Sequence, residues 1–198
     1  MNDIDDPKLK QIVKTAKTLF WKYGIRRVTI EEICREANVS KMTFYKHFAN
    51  KAELAKFIYI KIQSEAMDKY QRIMAQPIPY PEKVKQSILL KIEFTDEISK
   101  EFITDFYKTA DPELVQFFNQ KMKEGIQQVL NDFIDAQARG DLRPDIKPEF
   151  IQFFLEQMRD MLQDERLIRL YNSPQDLIIE LINFLFYGIL PRDEKIEE

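Results

Sequence analysis

TIEEICREANVSKMTFYKHF, residues 29–48, holds two helix starts in close succession. Thr29 is an N-cap residue, and Glu31 and Glu32 follow it in the first turn, where the helix dipole favours acids. Ile30, Ile33, Cys34 and Ala37 have the i, i+3, i+4, i+7 spacing of a buried stripe. Asn38, Val39 and Ser40 make a short turn, and Ser40 caps a second helix over Lys41–Phe48. Ala49 and Asn50 break that helix. Two capped helices on either side of a three-residue turn are the helix-turn-helix layout, whose second helix lies in the major groove of DNA.

At about 100° per residue, Phe44 and Phe48 share one face of the second helix and point to the core with Val39. Met42 and Lys46 lie opposite, flanked by Thr43 and Tyr45. A lysine can donate to guanine acceptors, and a threonine can donate to a base or touch a thymine methyl. Tyr45, His47 and Lys51 are within reach of phosphates, which position a helix without reading sequence. The free N–H groups behind Thr29 suit a phosphate as well. His47, the one histidine, fits either that role or simple packing. Cys34 reads as a small core hydrophobe.

Outward from this segment the apolar spacing is three and four almost everywhere, which predicts an all-α chain of about nine helices. A first helix spans Pro7–Tyr23, with Ile12, Ala16, Leu19 and Phe20 on one face and Gly24 as its stop. A fourth, Lys51–Gln76, is on the order of 40 Å long and reads as a link between domains. Pro77, Pro79 and Pro81 then punctuate the chain. Helices follow over Pro81–Phe94, Asp96–Thr109, Asp111–Arg139, Pro148–Tyr171 and from Ser173 to before Pro191. The tail RDEKIEE reads as disordered. The expected organisation is a helix-turn-helix domain over residues 1–51 and an effector-sensing and dimerising domain over residues 52–198.

Charge follows this division. Residues 1–51 carry 11 Lys and Arg against 6 Asp and Glu, and the rest carries 19 against 27, for a net charge of -3. A basic head on an acidic body suits a nucleic-acid binder with a second task. Chance clustering on solvated helices is the plain alternative, and Lys8, Lys10, Lys14 and Lys17 fit it. A single cysteine precludes an intramolecular disulfide, and MNDIDDPKLK is unlike a signal peptide. The most apolar stretch, Leu177–Leu190, falls short of the roughly 20 residues of a membrane span. A cytoplasmic protein with no membrane partner is expected. No glycine-rich phosphate loop, catalytic carboxylate pair, activated nucleophile or metal-ligand cluster is found, so neither enzyme activity, nor a catalytic residue, nor a metal, nor a cofactor is expected.

Residues 12–54 resemble the DNA-binding domain of the tetracycline-repressor type, the TetR/AcrR family. The resemblance rests on Ala16, Leu19 and Phe20, on Tyr23-Gly24, and on V-T-I-E-E-I at Val28–Ile33. It continues through A-N-V-S at Ala37–Ser40, T-F-Y-K-H-F at Thr43–Phe48 and N-K-A-E-L at Asn50–Leu54. It implies an all-helical homodimer on double-stranded palindromic operator DNA, and a repressor that releases DNA when a small effector binds. By the same resemblance Thr29, Tyr45, His47 and Lys51 match phosphate-contacting positions, and Lys41, Met42 and Thr43 match base-facing ones. Lys46 completes the expected DNA face.

In the body, Phe94, Phe102, Phe106, Tyr107, Phe117 and Phe118 fall at helical spacing. Core packing explains them, and an apolar effector pocket is the reading the family implies. The richness in Phe suggests an apolar or aromatic effector, which would tilt the long fourth helix when it binds. The alternative is a helical regulator without a small-molecule effector, constitutive or governed by a protein partner. Phe150, Phe154, Met158, Met161 and Leu162 line one side of the eighth helix. Leu177, Ile178, Leu181, Leu185 and Ile189 do so on the ninth, which predicts a four-helix dimer interface.

Overall fold

The computed structural model describes residues 6–108 and 111–189. These residues form helices without strands: α1 (Pro7–Tyr23), α2 (Ile30–Glu36), α3 (Lys41–His47), α4 (Lys51–Met74) and α5 (Tyr80–Thr95). They continue with α6 (Lys100–Lys108), α7 (Pro112–Ala138), α8 (Pro148–Met161), α9 (Glu165–Ile168) and α10 (Pro174–Ile189). The chain divides into two compact units, one of residues 1–68 and 95–118, the other of residues 69–94 and 119–198.

In the first unit the local chemistry places each boundary. Pro7 opens α1 behind the Asp6 cap, whose carboxylate accepts from the Lys8 N–H. Gly24 closes it at φ +81°, a conformation that favours glycine. The Thr29 hydroxyl accepts from the Glu32 N–H at 3.1 Å, the Ser40 hydroxyl from the Thr43 N–H at 3.0 Å, and the Asn50 amide oxygen from the Glu53 N–H at 2.9 Å. Asn38 turns the chain between α2 and α3 at φ 52°. Ile12, Ala16, Phe20, Val28, Ile33, Phe44 and Leu54 are sealed from solvent in one core with Cys34. Leu114 and Phe118 of α7 and Phe102 of α6 complete that core.

The second unit buries Val84 and Ile88 of α5 against Leu130, Phe133 and Ala136 of α7, Ile151 of α8 and Leu185 and Ile189 of α10. The 140–147 loop is pinned rather than loose. Leu142 is buried, the Arg143 N–H donates to the Ile189 carbonyl at 3.1 Å, and the Gln137 amide donates to the carbonyls of Arg143 and Ile146.

Most helix ends fall within two residues of expectation, and two differences are larger. The single helix expected over Pro148–Tyr171 is two, because the Asp164 carboxylate accepts from the Arg166 N–H at 2.9 Å and starts α9, giving ten helices among the described residues. Before α6, Glu97 takes φ 60° and the Ser99 hydroxyl caps the Phe102 N–H, so α6 begins at Lys100 instead of Asp96. Thr109, the expected end of that helix, and the 192–198 tail lie outside the described residues.

Candidate nucleic-acid interface

α3 stands on Phe44, which is fully buried, while its neighbours face solvent: Met42 is 83% exposed, and Lys41, Tyr45 and Lys46 are exposed with it. The helix is too short to hold itself in water. Its rigidity comes from the Ser40 cap, the Phe44 anchor and the ring contacts of Phe44 with Tyr45 and Phe48 at 5.5 and 5.9 Å. Thr29 is exposed at the start of α2.

Not every residue of that face presents a free group. Lys41 pairs with Glu31 of α2, and the pairing holds the Glu31 carboxyl below its ordinary range and the Lys41 ammonium above its own. The Thr43 hydroxyl lies 2.9 Å from that of Ser40. Lys46 therefore carries the more available charge of the two α3 lysines. The acid at Glu31 signalled helix capping in the sequence, and its second use as the partner of Lys41 emerges only from the fold.

Two of the eight expected contact residues turn inward. The His47 side chain is only 4% exposed, with Nε2 3.3 Å from the Asp6 carboxylate. Lys51 donates to the backbone carbonyls of Arg26 at 2.9 Å and Val28 at 2.6 Å, and burial lowers its ammonium pKa. Both side chains brace the head: His47 meets the cap of α1, and Lys51 ties the α1–α2 connection to α4. In this arrangement the Lys51 ammonium is occupied within the protein, and His47 Nε2 is sealed beside Asp6 without a hydrogen bond, so neither is offered to phosphate.

The aromatic residues expected to line a pocket are divided between the units. Phe102, Phe106, Phe117 and Phe118 pack with Trp21 and Tyr59 in the first unit, with centroid separations such as 4.4 Å for Trp21–Phe102 and for Phe106–Phe118. The space left beside Trp21, Tyr59, Phe102 and Phe118 is about 10 Å³, against roughly 300–1,000 Å³ for a ligand pocket. These rings are core. Tyr107 rests edge-on against Phe106, and Phe94 belongs to the second unit, under the Lys69 ammonium at 5.1 Å.

Of the expected dimer residues, Leu177 and Leu185 are buried within the chain, and Met158, Met161 and Leu181 are half-buried. Phe150 is exposed and stacks on Phe154, which stacks on Phe184. Phe153, Phe184 and Tyr187, outside the expected set, are exposed too. A groove of about 470 Å³ runs along Ile146, Phe150, Phe154, Phe184 and Gly188. No helix among the described residues is long and apolar enough to cross a membrane.

A pair of capped helices, fixed on a common core with the far side of the second open to solvent, defines a helix-turn-helix DNA-binding protein. Residues 12–57 match the family model of the bacterial regulatory proteins of the tetR family. The chain is 29% identical over 136 residues to the HTH-type transcriptional regulator YhgD of Bacillus subtilis (strain 168), covering 62% of this chain and 70% of that one. It is 24% identical over 188 residues to YdgC, another HTH-type regulator of that organism, covering 92% and 93%. The fold is similar to that of the fatty acid degradation regulator FadR from Bacillus halodurans, with a TM-score of 0.71 at 16% identity over 93% of this chain and 97% of that one. Residues 12–57 are thus a DNA-binding head of the tetR type, and the chain is similar over most of its length to HTH-type transcriptional regulators.

Proposed function

We propose that the chain acts as a homodimer on a two-fold symmetric operator in duplex DNA, represses from it, and lets go when a small apolar or aromatic molecule binds. The observation that carries the DNA-reading part is the solvated face of α3 above a buried Phe44. Met42, Thr43 and Lys41 approach base edges, where a thioether suits a thymine methyl and an ammonium suits guanine. Thr29, Tyr45 and Lys46 flank them at the phosphates. The reading and sensing tasks divide between residues 1–51 and the remainder of the chain, in the cytoplasm.

Pairing of two copies is supported by the exposed Phe150, Phe153, Phe184 and Tyr187 on α8 and α10, since clustered exposed aromatics mark interaction surfaces. A two-fold axis then sets the α3 helices in major grooves one turn apart, about 34 Å, or a multiple of it. The effector site lies away from the packed rings around Tyr59, where about 10 Å³ remains. The same small void supports a second reading, a regulator governed by a protein partner instead of a small molecule.

Selection of duplexes from a random pool by the purified protein tests the DNA reading. Enriched inverted repeats with half-sites about one helical turn apart are expected; enrichment of single half-sites, or none, refutes it. A thermal-shift screen against cell metabolites decides between effector and partner, with each hit titrated against DNA affinity. Effector and DNA must weaken each other by the same factor.

A further inference from the structure

Asp105 of α6 is a carboxylate in a core, only 6% exposed, and the DNA-contact scheme above leaves it without a part. Its Oδ2 accepts from the backbone N–H of Arg26 at 2.7 Å, in the connection between α1 and α2. The Arg26 side chain adds little, with its Nε 3.9 Å from Oδ1 and most of its surface in solvent. The carboxylate reaches this amide because residue 24 is glycine. A Cβ there would stand 2.5 Å from Oδ2 and 3.2 Å from the Glu101 carbonyl, and Gly24 holds φ +81° besides.

The same connection is gripped elsewhere. Lys51 takes the carbonyls of Arg26 and Val28, so Arg26 has its N–H held by α6 and its C=O by α4. The Ser99 N–H just before α6 donates to the Trp21 carbonyl at 3.0 Å, and Phe102 packs on the Trp21 ring. Residues 24–28 lead directly into the Thr29 cap of α2, and α2 carries α3.

We infer that Asp105 is a positioning residue for operator binding: through the Arg26 amide, α6 sets the pose of the α2–α3 pair. The inference rests on the reading of α3 as the DNA-reading helix. A shift of α6 by about 1 Å takes Oδ2 out of hydrogen-bonding range, so α6 is a control point for the reading head. Sequence-specific binding needs one pose of α3, whereas binding to random DNA draws on charge and tolerates several. Loosening the clasp lowers the fraction of heads in the competent pose, and the apparent affinity falls with that fraction.

The test uses the full chain and the best duplex selected by the wild type. Asp105→Ala removes the acceptor, and roughly a 3- to 10-fold loss of affinity for that duplex is expected, with random DNA unchanged. Asp105→Asn retains an oxygen for the Arg26 N–H and keeps affinity within about twofold of wild type. Gly24→Ala weakens binding on its own and weakens it less in the Asp105→Ala background, because the clash with Oδ2 is gone. Hydrogen exchange of the Arg26 amide, read without DNA, speeds up in Asp105→Ala and stays slow in Asp105→Asn. Equal losses on selected and random DNA, equal behaviour of the Ala and Asn variants, or an Arg26 amide indifferent to Asp105→Ala each overturn the inference. A wild type that prefers no duplex defeats the DNA reading instead, and the amide exchange then decides the clasp.

Discussion

Lys51→Met separates a structural lysine from a phosphate-contacting one. The Lys51 ammonium donates to the carbonyls of Arg26 and Val28 at 2.9 and 2.6 Å. A hydrogen bond involving a charged group is worth about 1.5–3 kcal/mol, at the lower end where water can replace it. Lys51 is half-buried, and methionine keeps the stem while losing both bonds. A destabilisation of about 2–3 kcal/mol follows, which at roughly 2–4 °C per kcal/mol lowers Tm by about 4–12 °C. The dependence of DNA affinity on salt should be unchanged, because no phosphate contact is lost and no counterion release with it. Thermal unfolding by circular dichroism gives the first quantity, and fluorescence anisotropy on one duplex across a salt series gives the second. An unaltered Tm together with a salt slope lower by about 1 refutes the reasoning and returns Lys51 to the phosphates.

Lys46→Ala should do the converse, lowering the salt slope by about 1 with little change in Tm, as measured in the same two assays. Phe184→Lys and Leu185→Lys are adjacent but opposite in effect. Phe184 is 71% exposed and Leu185 only 7%, so the first should yield a folded monomer by sedimentation equilibrium and the second an unfolded or insoluble chain. A dimeric Phe184→Lys would remove α10 from the interface. Burial beside the Asp132 and Asp141 carboxylates pushes the Tyr80 hydroxyl up to about 12 from an ordinary 10.0, and burial beside Asp132 raises Tyr70 in the same direction. Unfolded tyrosines ionise first, so the stability these groups supply is whole below about pH 10 and is lost as pH rises toward 12. Tyr80→Phe should flatten that alkaline fall in chemical denaturation, and an unchanged slope would count against a buried neutral hydroxyl.

Much of the head was legible in residue order because its determinants are local. Thr29 and Ser40 cap helices, Gly24 permits a positive φ, and the spacing of Ile33, Phe44 and Phe48 settles which side is buried. The outward face of α3 follows from the same periodicity, and Met42, Tyr45 and Lys46 are exposed as expected. Boundaries were less legible where side chains compete with the backbone. Asp164 interrupts a continuous apolar pattern by starting α9, and periodicity carries no trace of that choice.

What the sequence by itself determined is therefore the helical class, the two capped reading helices and the direction α3 faces, since capping and periodicity act within a few residues. Tertiary structure alone decided which polar atoms remain available. Lys41 meets Glu31 across a turn, His47 folds back on Asp6, Lys51 reaches carbonyls of another helix connection, and Asp105 finds the Arg26 amide 79 positions away. It also decided that Phe102, Phe106 and Phe118 fill a core and that Phe184, not Leu185, faces outward. Long flexible side chains choose partners by distance in space, and ring clusters close or open according to how distant helices pack. Neither quantity is encoded in spacing along the chain.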